Sequence, residues 1–185
     1  YIKTMHYHTD GDFKQKILKF ASEALGLNDP SDISNIIVLD QDLALEEMAQ
    51  LYASSDCFVL PSRGEGWGRP HIEAMAMGIP VVATNWSGNT EFMKPHNSFL
   101  IPIEGLEPVR QGAFVGHMWA KPSVKGLKSI LQQIFDNPGQ ARKKAQVGMR
   151  EVRELYNPSA VSQVVIRRLQ EIEQLVSKRS PEGEL

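Results

Sequence analysis

Three short runs, Ile36-Ile37-Val38-Leu39, Cys57-Phe58-Val59-Leu60 and Ile79-Pro80-Val81-Val82-Ala83, carry no charged or hydrogen-bonding side chain, and a helix-patterned stretch separates each from the next. A strand that is apolar on both faces has to be covered on both faces. Strands of that kind alternating with helices point to an α/β sandwich around a mainly parallel sheet. Right-handed crossovers would then lay helices on either side of the sheet.

The remaining chain fills in this plan. Residues 1–7 read as a strand. Residues 12–25 place Phe13, Ile17, Leu18, Phe20, Ala21 and Leu25 at helical spacing, with Asp12 as cap and Gly26 as stop. Residues 28–34 form a turn-rich link, and 43–52 form a helix with Leu45, Met48, Ala49 and Tyr52 on one face. Pro70 suits the first position of a helix that Gly78 ends, and a short helix starts near Gly88. Residues 98–102 are expected to be the last strand, and 102–121 a long irregular loop, unusual inside a compact domain. Three helices over 123–135, 139–156 and 159–178 are punctuated by Asn137-Pro138 and Asn157-Pro158. From Ser180 a frayed tail is expected, giving one domain over 1–179.

A chain of 185 residues can bury a sizeable core in one domain. Its formal net charge of -2 gives no sign of a nucleic-acid or anionic-membrane binder. The single Cys57 cannot form an internal disulfide and sits in an apolar run, as a small core residue does. No apolar run approaches the ~20 residues of a membrane span, and no signal peptide is evident. The expected location is cytoplasmic, or the cytoplasmic face of a membrane. The chain starts at Tyr1 without a methionine and enters a strand at once, so an excised piece of a larger protein is expected.

Chemistry concentrates between Leu60 and Thr84. This segment reads as strand end, glycine-rich loop, helix, glycine stop and buried strand. Glu65 and Glu73 bracket the loop with seven residues between them. A loop that opens a helix offers free N–H groups and a positive dipole end to an anion. Glu73, expected in the first turn, would add acceptors at the same crevice, where open α/β sheets bind ligands. Gly66 and Gly68 let the backbone approach a ligand closely.

Glu65-Gly66-Trp67-Gly68-Arg69-Pro70, followed by Glu73-Ala74-Met75-Ala76-Met77-Gly78-Ile79-Pro80-Val81-Val82, resembles the E-x7-E signature of the retaining group 1 glycosyltransferases of GT-B fold. The resemblance implies a Rossmann-like three-layer sandwich, the C-terminal, donor-binding half of that fold, with extra C-terminal helices. It implies a parent enzyme that transfers a hexosyl group from a UDP- or GDP-linked sugar to a carbohydrate, lipid or protein acceptor, without metal or other cofactor. Glu73 would take both ribose hydroxyls in a bidentate pair. Glu65 would lie beside the donor sugar and stabilise positive charge at the anomeric carbon, without acting as a nucleophile. Amides of Gly66, Trp67 and Gly68 would reach the sugar and phosphates, the Trp67 ring serving rather as a loop anchor. Arg69 and His71 stay open between a solvated helix start and the diphosphate; Pro70 completes the motif. Asp40 and Gln41 would line the base pocket or simply cap a helix, and Ser87, Gly88 and Asn89 would rim the crevice.

Other features admit rival readings. His6 and His8 share a strand face ahead of Asp10 and Asp12, as in some metal sites, but a polar strand end is the simpler reading. Arg142, Lys143, Lys144, Arg150, Arg153, Arg167 and Arg168 are interleaved with acids and read as a solvated face. The family's upstream domain, which carries most acceptor contacts, and its diphosphate-binding arginine and lysine have no counterpart here. The isolated chain is therefore expected to be inactive, and the missing edge strand to leave a sheet edge open to self-association. The alternatives are a non-catalytic nucleotide-binding or scaffolding module of the same fold, and another GT-B enzyme such as a sugar-nucleotide epimerase.

Overall fold

The computed structural model describes residues 1–4, 12–27, 35–110 and 112–179. The His6–Gly11 part of the metal reading, the 28–34 link and the 180–185 tail lie outside these residues. The chain divides into two compact units, Tyr1–Met48 and Ala49–Leu185.

In the first unit, β1 (Ile2–Lys3) pairs in parallel with β2 (Val38–Leu39), Ile2 opposite Val38. β2 is shorter than the apolar run 36–39, and residues 5–7 of the strand expected over 1–7 lie outside the described residues. Between them lies α1 (Phe13–Leu25). Asp12 caps it by accepting the Gln15 N–H at 2.9 Å, and Gly26 ends it at φ 68°. Helix α2 (Leu45–Ala53) begins where the Glu47 carboxylate accepts the Ala44 N–H.

The second unit holds a three-stranded parallel sheet that contains two of the three apolar runs, the first run being β2 of the first unit. β3 (Phe58–Leu60), β4 (Val81–Thr84) and β5 (Phe99–Ile101) pair in that order, all parallel. Every residue of β4 is buried, because a central strand meets protein on both faces. Helix α3 (Arg69–Ala76) joins β3 to β4, and a short 3-10 helix (Gly88–Glu91) follows β4. Val82, Phe99 and Ile101 form a core with Ala141 of α5 (Pro138–Leu155). Cys57 and Leu127, Ile130 and Ile134 of α4 (Val124–Asp136) pack around it. Each fully buried Val or Ile here is worth about 1.5–3 kcal/mol of transfer free energy. Ser123 caps α4 by accepting the Gly126 N–H, and Asn157 accepts the Ala160 N–H at the start of α6 (Pro158–Arg179).

Two expectations need correction. Residues 102–121 are not an irregular loop, and β5 is only the last parallel strand. β6 (Ile103–Pro108) and β7 (Met118–Pro122) form an antiparallel hairpin. A register shift between Ile103 and Leu106, at Gly105 with φ 145°, breaks the alternation that marks a strand. Nor is the basic series wholly solvated. Lys144 donates to the carbonyls of Pro95 and Ser98, and the Arg153 guanidinium donates to the Ala76 carbonyl at the end of α3. That last bond satisfies a carbonyl a helix end leaves without a partner.

Candidate functional site

The loop after β3 and the loop after β4 leave the carboxyl edge of the same sheet and are bonded together. The Thr84 hydroxyl donates to the Ser62 carbonyl at 2.6 Å. The Ser87 hydroxyl accepts the Glu65 N–H at 2.9 Å and donates to the Glu65 carbonyl. The Gly88 N–H donates to that same carbonyl at 3.1 Å. Three bonds thus fix the main chain of Glu65. Ser87 adopts φ 75° with ψ -158°, a region that non-glycine residues seldom occupy. A side chain at Gly88 would meet the Gly66 carbonyl oxygen at 2.2 Å, so only glycine fits there.

Helix α3 starts at Arg69, with Pro70 in its second position. Its N-cap, Gly68, has φ 93° and contributes no side-chain cap; no acidic residue lies in the first turn. The positive end of the helix therefore keeps capacity for an anion. Glu73 is one turn further along than expected, four residues from Arg69. Its side chain is 43 % exposed, and its oxygens accept from Arg69 and from the Tyr52 hydroxyl, each at 3.4 Å. Both bonds are long and leave acceptor capacity. The Tyr52 phenol is pushed up to about 12 by burial, with the Glu73 charge adding to the effect.

Glu65 is half-buried, and its carboxylate makes no hydrogen bond among the described residues. Two of the other nominated side chains pack against protein. Trp67 packs on Phe92 and Tyr156 at 5.3 and 5.7 Å between ring centroids, the anchoring role anticipated for it. The Asn89 amide donates to the Thr84 carbonyl and to the Met93 sulfur; its buried oxygen has no partner among the described residues. Arg69 is directed to Glu73, with its side chain 82 % exposed. Asp40 and Gln41 follow β2 in the first unit, ahead of α2, and their side chains make no cap on it; Glu47 does.

His71 is the residue that sequence reasoning undervalued. It is fully buried, edge-on to Phe58, and neither ring nitrogen makes a hydrogen bond of ordinary geometry. Burial lowers its pKa below the usual imidazole value; the Glu65 charge and the carbonyls of Leu60 and Gly68 oppose this and do not prevail. A side chain at Gly68 would meet the His71 Nδ1 at 2.8 Å, so His71 and the loop glycine fill one space. Its apolar neighbours Ile72 and Ala74 gave no hint that position 71 faces the core.

Among the described residues no cluster of His, Cys, Asp and Glu could hold a metal, and no helix is long and apolar enough to cross a membrane.

The sequence profile described as "Glycosyl transferases group 1" matches residues 9–108. The chain is 27% identical over 130 residues, 70% of its length, to the MMP alpha-(1->4)-mannosyltransferase of Mycolicibacterium hassiacum. It is 32% identical over 104 residues, 54% of its length, to the D-inositol 3-phosphate glycosyltransferase of Paenarthrobacter aurescens. It spans only 28% and 25% of those two relatives. Among solved structures it resembles Anabaena HepE in complex with UDP and glucose, with a TM-score of 0.63 at 20% identity, over 85% of this chain and 36% of that one. It also resembles the sucrose-phosphate synthase of Thermosynechococcus elongatus, with a TM-score of 0.64 at 21% identity, over 95% of this chain and 38% of that one. These likenesses show the fold, that of GT-B glycosyltransferases with their Rossmann-like domains.

Proposed function

Since the chain belongs to the group 1 glycosyl transferases, we propose that it is the donor-binding part of a hexosyltransferase using a UDP- or GDP-linked sugar. The observation that carries this reading is the bonding of Glu65 to Ser87 and Gly88. It joins two loops at the carboxyl edge of the sheet, beside an α3 start that lacks any acid of its own. The HepE structures, which hold UDP and glucose, support a nucleotide-sugar donor.

In this reading Glu73 exchanges its long bonds to Arg69 and Tyr52 for the two ribose hydroxyls. Arg69, thereby released, and the amides of Gly66, Trp67 and Gly68 are left for the sugar and diphosphate, with Pro70 fixing the helix start. Amides of Ser87, Gly88 and Asn89 rim the sugar. Glu65 stands beside the anomeric carbon. The bond from that carbon to the diphosphate oxygen breaks, its electron pair leaving with the diphosphate. The acceptor oxygen bonds to the same face and passes its proton to the departing phosphate. Configuration is retained, and Glu65 lowers the energy of the oxocarbenium-like transition state. The acceptor is held mainly by a separate domain, so the isolated chain binds donor without turnover.

Titration of the chain with UDP and GDP tests this. One nucleotide should bind, and Glu73→Ala should weaken it by about 1–3 kcal/mol, the value of a charge-assisted pair. Unchanged affinity in that variant contradicts the ribose assignment. In an active parent, Glu65→Ala should reduce kcat far more than nucleotide affinity. Equal losses would move Glu65 away from the sugar.

A further inference from the structure

Resting on that donor-site reading, we propose that the β6–β7 hairpin is a platform for the acceptor saccharide, with Phe114 and Trp119 stacking on a sugar ring and Arg63 and Glu107 binding its hydroxyls.

Topology places the hairpin at the site. β6 follows β5, whose last residue, Ile101, accepts the Asn85 N–H from the loop after β4. The hairpin therefore springs from the same carboxyl edge as the loops carrying Glu65 and Ser87. It is also fastened to the segment that leads into Glu65. The Ala120 N–H donates to the Arg63 carbonyl at 2.9 Å, and the Arg63 Nε donates back to the Ala120 carbonyl at 3.3 Å. The Arg63 guanidinium lies 5.9 Å from the Trp119 ring centroid, and a Cβ placed on Gly64 would lie 3.9 Å from the Trp119 ring. An acceptor must reach the anomeric carbon beside Glu65, two residues on from Arg63, and the hairpin flanks that approach.

The surface it presents has the chemistry of a sugar contact. Phe114 is 56% exposed while tilted against Trp119 at 5.6 Å and edge-on to His117. A core phenylalanine would not leave half its ring in water. A pyranose offers one face of C–H groups to an aromatic ring and a rim of hydroxyls to planar charged groups. Arg63 and Glu107 supply that rim contact, paired at 3.0 Å with each side chain 45% exposed. Glu104 and Glu107 are balanced by Lys121 and Arg63, so this cluster carries no excess positive charge to hold an anionic bilayer. The family match ends at residue 108, the last of β6, so the turn and β7 lie beyond the matched stretch, where a specificity element would sit.

Saturation-transfer NMR on the 185-residue chain tests this, with methyl α-glucopyranoside, methyl α-mannopyranoside and maltose as probes, each with and without UDP or GDP. At least one glycoside should receive saturation at its ring protons. That transfer should persist under saturating nucleotide and in Glu73→Ala, and its affinity should fall about 2- to 10-fold in Phe114→Ala. Trp119→Phe, which keeps a ring in the hairpin, should retain part of the binding. Displacement of the glycoside by nucleotide, full binding in Phe114→Ala, or no transfer to any probe would overturn the proposal. If neither nucleotide binds while glycoside transfer still depends on Phe114, the donor-site reading fails and the saccharide surface stands.

Discussion

Substituting Gly88 by alanine tests whether the two loops are locked as described. The added Cβ would lie 2.2 Å from the Gly66 carbonyl oxygen, 2.6 Å from its carbon and 2.9 Å from the Glu65 carbonyl oxygen. All three are main-chain atoms, so no rotamer change relieves the contact. The segments must part by about 1 Å to restore van der Waals distance. That separation stretches the Gly88–Glu65 bond and both bonds of the Ser87 hydroxyl. Three hydrogen bonds at roughly 0.5–1.5 kcal/mol each are then at stake. Against this, alanine narrows the unfolded ensemble and returns about 0.4–1 kcal/mol. The net loss is about 1–4 kcal/mol, and its middle corresponds to a fall in Tm of roughly 5–10 °C for a chain of this size. Gly66→Ala is the matched control: a Cβ there meets nothing within 4 Å, and its φ is not in the left-handed region. It should leave Tm unchanged or slightly raised. A Gly88→Ala variant that melts with wild type in thermal denaturation would refute the close approach of the two loops.

Two further outcomes follow from buried titratable groups. The Cys57 thiol is pushed up to about 12, mainly by burial, so at pH 8 its reaction with an aromatic disulfide should be two to three orders of magnitude slower folded than in urea; equal rates would place the thiol in solvent. His71 has a folded pKa below its unfolded value, so the unfolded chain binds the extra proton first. Stability should hold above about pH 6.5, the ordinary imidazole value, and decline as pH falls from there toward the lowered folded value. His71→Leu should flatten that part of the profile in urea melts, and an identical slope in both proteins would be the contrary result.

The parallel sheet was legible because β4 is buried on both faces and its residues announce this without regard to neighbours. The ends of the first helix were legible for a similar reason: Asp12 and Gly26 act on chain segments within three or four residues of themselves. The hairpin was not, because its bulge at Gly105 disrupts the period and its bonds to Arg63 span more than fifty residues. Glu65 and Glu73 stood out by spacing, but the partner that fixes Glu65, Ser87, lies 22 residues away. His71 shows the limit most clearly. Nothing local distinguishes a solvated histidine at a helix start from one whose ring is closed over by a glycine loop and Phe58.

The direction of the side chains bears on specificity. Ser87 spends its hydroxyl on Glu65, Asn89 its amide on Thr84, and Trp67 its ring on Phe92 and Tyr156. His71 is enclosed. Of the residues nominated around the motif, Glu65, Arg69 and Glu73 are those that keep charged groups at the surface of the crevice, and Arg69 and Glu73 engage each other. A pocket whose side chains face inward presents mostly main chain to its ligand. Under the proposed donor role, main-chain amides read position and charge, so the loop itself would separate donors that differ in base or in a single hydroxyl only weakly. Discrimination between sugars then falls to elements outside the motif. The hairpin, fastened to Arg63 and carrying exposed Phe114, would do this for the acceptor saccharide and not for the donor.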